Sequence, residues 1–62
     1  MFDKEQLDAL YGEIRREWQG RPERDQLLRD AHLGVAYSDA GRPLDGIDPT
    51  VVALIDKHKP TD

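Results

Sequence analysis

The side chains able to do chemistry in this chain are few, and their spacing works against it. Asp30 with His32 and Asp56 with His58 are the candidate metal ligands, each couple two residues apart. Residues two apart on a helix point about 200° from each other, so neither couple can chelate one ion. Asp39, Asp45 and Asp48 miss the D-x-[DN]-x-[DN]-G spacing of a calcium loop. The reading is therefore no metal and no cofactor, with His32 on the surface and His58 at a core boundary near a helix end.

Nucleophilic catalysis fares no better. There is no cysteine, Ser38 is the single serine, and no G-x-S-x-G, Walker loop, dinucleotide fingerprint or H-E-x-x-H occurs. Glu13 and Glu17 stand one helical turn apart like a carboxylate pair, but Arg15 and Arg16 lie between them and a solvated helix face is the expectation. A chain of 62 residues also cannot wall off a pocket of several hundred Å³ from water. No catalytic residue and no small-molecule substrate are expected.

The arginines raise a different possibility. Arg15, Arg16, Arg21, Arg24 and Arg29 all fall within fifteen residues around a short connection between two helices, as in a helix-turn-helix DNA-binding regulator. Glu17, Glu23, Asp25 and Asp30 are interleaved with them, so repulsion of phosphates offsets attraction. DNA binding is the disfavoured alternative. Arg15, Arg21, Arg24 and Arg29 are read instead as helix-surface ion pairs or as anchors of a protein interface.

These side chains must be placed by the elements that carry them. Leu7, Leu10, Tyr11, Ile14 and Trp18 recur at helical spacing and form one apolar stripe. Asp3 and Gln6 match a capping box, with Phe2 able to staple onto Leu7, and Gly20 and Pro22 end the element, which predicts a helix over about 4–19. A second helix is predicted over about 22–36, opening on Pro22, with Leu27, Leu28, Ala31 and Val35 facing the core and Asp25 pairing with Arg29. Gly34 is a plausible end of this helix, although Val35, Ala36, Tyr37 and Ala40 could prolong it through the glycine at a cost of about 1 kcal/mol. Residues 38–47 are dense in turn formers and read as a long loop pinned by Leu44 and Ile47. Asp48 and Pro49 then open a third helix to about residue 59, where Pro60 stops it; its face is Val51, Leu54, Ile55 and His58, with Asp56 and Lys57 pointing away.

Composition sets the frame. The chain is 37% hydrophobic and 35% charged, with a net charge of −4. No apolar run approaches the roughly 18 residues of a membrane span, and the acidic start lacks the features of a signal peptide, so a cytoplasmic protein is expected with no membrane partner. Arginine outnumbers lysine six to three, which fits a GC-rich bacterial or phage genome. The fold class is all-α, a single small three-helix bundle with a long loop between the second and third helices. Function is read as a small accessory or regulatory protein-interaction module. If the second helix passes Gly34, Leu33 and Tyr37 form a second apolar strip opposite Leu27, Leu28 and Ala31. That strip is either covered by Leu44 and Ile47 or buried in another protein, a second copy in a homodimer being the simplest case.

Overall fold

In the computed structural model, which describes residues 1–59, three helices pack against one another: α1 (Lys4–Glu17), α2 (Glu23–Asp39) and α3 (Pro49–His58). This is a small all-α bundle. No strand occurs among the described residues.

The start of α1 follows from its local sequence. Asp3 accepts from the Gln6 N–H and the Gln6 side chain accepts from the Asp3 N–H, both at 2.8 Å, so two otherwise unpaired donors are satisfied reciprocally. The helix ends at Glu17, two residues short of the expected boundary, with Trp18 as its C-cap donating its N–H to the Ile14 carbonyl. Gly20 then takes φ +78°, a conformation that costs a residue with a Cβ roughly 1–2 kcal/mol, and the chain turns into α2. Pro22 sits just before α2 with helical dihedrals, φ −64° and ψ −26°, and supplies no side-chain cap. Asp25 meets Arg24 at 3.5 Å, in place of the expected pairing with Arg29.

The clearest departure from the sequence reading is the length of α2. It runs past Gly34 to Asp39, and the chain up to Ser38 and Asp39, assigned to the loop on sequence, is helical. Gly41, with φ +71°, ends the helix: its N–H bonds the Ser38 carbonyl at 3.1 Å and the Arg42 N–H bonds the Tyr37 carbonyl at 2.9 Å. These are the two bonds of a Schellman motif, with Gly41 in the C′ place that the sequence reading offered to Gly34. The Arg42 guanidinium lies 5.0 Å above the Tyr37 ring, taking the position where an apolar contact usually closes that motif. The connection to α3 therefore spans residues 40–48.

Gly34 serves packing instead. It is buried where α2 crosses α3, and a Cβ there would collide with Ile55 Cδ1 and touch Ile47 Cγ2 at 3.7 Å. The absent side chain lets the two helices approach closely. α3 starts as its sequence predicts, with Asp48 accepting from the Thr50 N–H at 2.9 Å and Pro49 in the first turn. It gives way at Lys59, whose backbone is extended (ψ 150°) as expected before a proline; Pro60 itself lies outside the described residues.

The core collects the three apolar faces. Leu10, Ile14, Ala31, Val51 and Ile55 are fully buried, and Phe2, Leu27, Val35, Leu54 and Ile47 complete the cluster. Leu44 packs on it from the loop, half-buried, so the connection is pinned as its two large apolar residues predict. A weak bond from the Asp48 N–H to Asp30 Oδ2 at 3.4 Å ties the start of α3 to the middle of α2.

Candidate functional site

The interface residues singled out on sequence separate into two groups. Arg15 lies in the last turn of α1, Arg21 in the α1–α2 connection and Arg24 in the first turn of α2, all at one end of this helix pair; Arg15 and Arg21 are exposed and Arg24 is half-buried. Arg29 and Leu33 stand one turn apart on the outward side of α2, followed by Ala36 and Ala40, all four exposed. Leu33 retains 44% of its surface, the most of any large aliphatic residue other than Met1. Tyr37 does not share this exposure. It is half-buried against the core and capped by Arg42, while Ile47 is spent under α2 and leaves Leu33 bare.

Between the starts of α2 and α3 lies an open groove of about 260 Å³, lined by Trp18, Glu23, Gln26, Leu27, Asp48 and Thr50. Its position follows from the fold: Trp18 projects from the end of α1, Glu23 to Leu27 form the first turns of α2, and Asp48 with Thr50 begins α3. Trp18 packs on the core and is half-buried, so it serves partly as a core anchor while keeping part of its indole accessible.

The remaining polar contacts are ones that sequence reasoning missed. Glu13 is not on a solvated face: its carboxylate accepts from His58 Nε2 at 2.8 Å and from Lys57 Nζ at 3.1 Å, with only 17% of the Glu13 and His58 side chains exposed. Lys57, expected to point away, folds back to reach it. The hydrogen bonds from His58 and then Lys57, with the charges behind them, hold the Glu13 carboxyl below the ordinary carboxylate range, against burial, which pushes the other way. The partners are 44 and 45 residues away along the chain, and the one sequence signal was their position at the edges of two apolar stripes.

His32 also has a partner. Its exposed ring stacks on Tyr11 with centroids 4.3 Å apart. The Tyr11 phenol is pushed above its usual value by burial and by the nearby Asp39 carboxylate. That carboxylate also accepts the Phe2 N–H at 3.2 Å, tying the N-terminal segment to the end of α2. Both histidines thus face other elements rather than the acids two residues before them. No cluster of three or more His, Cys, Asp or Glu residues suited to a metal ion occurs among the described residues. Likewise, among the described residues no helix is long and apolar enough to cross a membrane.

With this geometry in hand, comparison with known proteins finds no matching family model, no matching curated protein and no matching solved structure.

Proposed function

We propose that this protein is a small accessory or regulatory module that binds another protein through the outward side of α2 and carries no catalysis of its own. One observation supports the reading above the others: Leu33 stands 44% exposed beside exposed Ala36 and Ala40, on the side of α2 facing away from the core. A helix already packed on two neighbours through one face gains from covering a second apolar strip, and the flanking Arg29 can anchor the rim of such a contact. A second copy of the chain is the simplest partner, because a two-fold axis beside Leu33 would cover both strips at once. The compartment in which this would occur is taken to be the cytoplasm.

DNA recognition has weaker support. α2 brings four acids, Glu23, Asp25, Asp30 and Asp39, against Arg24 and Arg29. A helix of that balance repels the phosphates whose contacts dominate such affinities.

The test pairs the wild-type chain with Leu33→Asp, a change at an exposed position that leaves the fold intact. Sedimentation at high micromolar concentration reads self-association, and nuclease-treated capture from a lysate of the organism that makes the protein reads other partners. The expected result is an assembly lost or weakened at least tenfold by Leu33→Asp, with circular dichroism unchanged. A strict monomer whose captured proteins are the same for both chains would overturn the reading.

A further inference from the structure

We propose that the groove between the starts of α2 and α3 is a receptor for one arginine side chain presented by a partner protein. The inference rests on the interaction-module reading and specifies the chemistry of the partner. The volume of about 260 Å³ falls below the roughly 300–1,000 Å³ of small-molecule sites, so the groove suits a single side chain better than a metabolite.

The sign of the field decides what kind of side chain. Glu23 and Asp48 line the groove and none of its lining residues is basic. Two helix N-termini meet here, each worth about +0.5 of a charge, so the lining carboxylates and helix ends together leave about −1, while Arg21 and Arg24 near the start of α2 lie outside the lining. Asp30, whose carboxylate bonds the Asp48 N–H at 3.4 Å, adds to that balance from behind. A cation is favoured over a phosphate or carboxylate. The acids also have capacity to spare: Asp48 uses Oδ1 on the Thr50 N–H, leaving its other oxygen, and Glu23 forms no ion pair among the described residues. The adjacent Arg24 turns to Asp25 instead.

The remaining walls favour arginine over lysine. Buried Leu27 and the accessible part of the Trp18 indole offer an apolar surface for an aliphatic stem and a face for a planar guanidinium. The guanidinium stacks and bonds in a fork at once, which an ammonium cannot do. Gln26 and Thr50 add an amide oxygen and a hydroxyl as neutral acceptors.

Trp18 is the single tryptophan of the chain, so its emission reads the groove directly. The intact protein is titrated with the peptide acetyl-Ala-Arg-Ala-amide and with its citrulline counterpart, which keeps the shape and loses the charge. The expected result is a saturable change in Trp18 emission with the arginine peptide, with citrulline binding at least threefold more weakly. Glu23→Gln, an exposed change that keeps the circular dichroism and melting temperature, should weaken arginine binding by a similar factor, and added salt should weaken it in the wild type. Equal binding of the two peptides, an unchanged titration in Glu23→Gln, or tighter binding of inorganic phosphate would each overturn the proposal. The two readings fail separately. Capture lost in Leu33→Asp with no arginine selectivity at Trp18 sinks the groove alone; selective arginine binding with capture indifferent to Leu33 sinks the α2 surface and leaves the groove standing.

Discussion

Two glycines show how the same residue type can be a weakness or a requirement. Gly12 lies in the interior of α1, where a Cβ would meet only the flexible end of Arg16 at 3.4 Å. Gly12→Ala should therefore raise stability by about 0.5–1 kcal/mol, chiefly by reducing the freedom of the unfolded chain. At Gly34 the added methyl must displace Ile55 Cδ1 inside a closed core, because Ile55 is fully buried. Overpacking of this kind costs about 1–3 kcal/mol, against a gain of about 1 kcal/mol in helix propensity, so Gly34→Ala should be neutral to destabilising by up to about 2 kcal/mol. The melting temperature should rise for Gly12→Ala and stay level or fall for Gly34→Ala. A rise in melting temperature for both would mean that α2 and α3 are not in close contact at Gly34. Nothing in the local sequence separates these glycines, since both interrupt an otherwise helical pattern.

Between elements, Glu13 is the latch that holds the last turn of α3 to α1. Its pKa is lowered in the fold, so the pair contributes stability above the ordinary carboxylate pKa of about 4.3, and that contribution is lost as pH falls through the lower folded value. The wild type should consequently lose stability below about pH 4 more steeply than Glu13→Gln does. At pH 7 the substitution should cost about 1–3 kcal/mol, most of it from the shielded His58 bond, because Lys57 is 62% exposed and water screens it. Melting temperature followed against pH for both proteins checks this; parallel curves would show that the latch contributes nothing. The beginnings of α1 and α3 were legible because a cap bonds residues two or three positions away. The end of α2 was misread because a glycine inside a helical pattern is locally indistinguishable from one at its end. Gly41, five residues beyond the expected limit at about residue 36, takes the left-handed φ of +71° that closes the motif.

At the scale of the molecule, the Cα envelope measures 34 × 25 × 14 Å, so the bundle is flattened and only a thin interior separates its faces. Typical stabilities of about 0.05–0.15 kcal/mol per residue give about 3–9 kcal/mol for a chain of this length. One fully buried aliphatic side chain, at about 2–5 kcal/mol on truncation to alanine, is a large share of that total. Ile14→Asp, which places an unpaired charge among Leu10, Val51 and Ile55, should abolish the folded state. Circular dichroism that kept its helical signal and melting temperature in this variant would refute the stripe assignment of α1. The same thinness would give the proposed partner binding an energetic role, since any apolar area covered outside the bundle adds to a small core.

The sequence by itself determined the fold class, the starts of α1 and α3, and the core stripe of each helix. Those follow from interactions within a few residues and from helical periodicity, both of which a linear string records. It also placed Leu44 and Ile47 as the pins of the connection, because they are the only large apolar residues in a polar stretch. Tertiary structure alone decided that Gly34 is a crossing point, that Glu13 binds His58 and Lys57, and that Tyr37 is covered by Arg42 while Leu33 is left bare. It also brought Trp18, Glu23 and Asp48 around one groove. Those outcomes depend on which helix faces meet and at what separation, a property of packing that residue types and spacing along one chain do not encode locally.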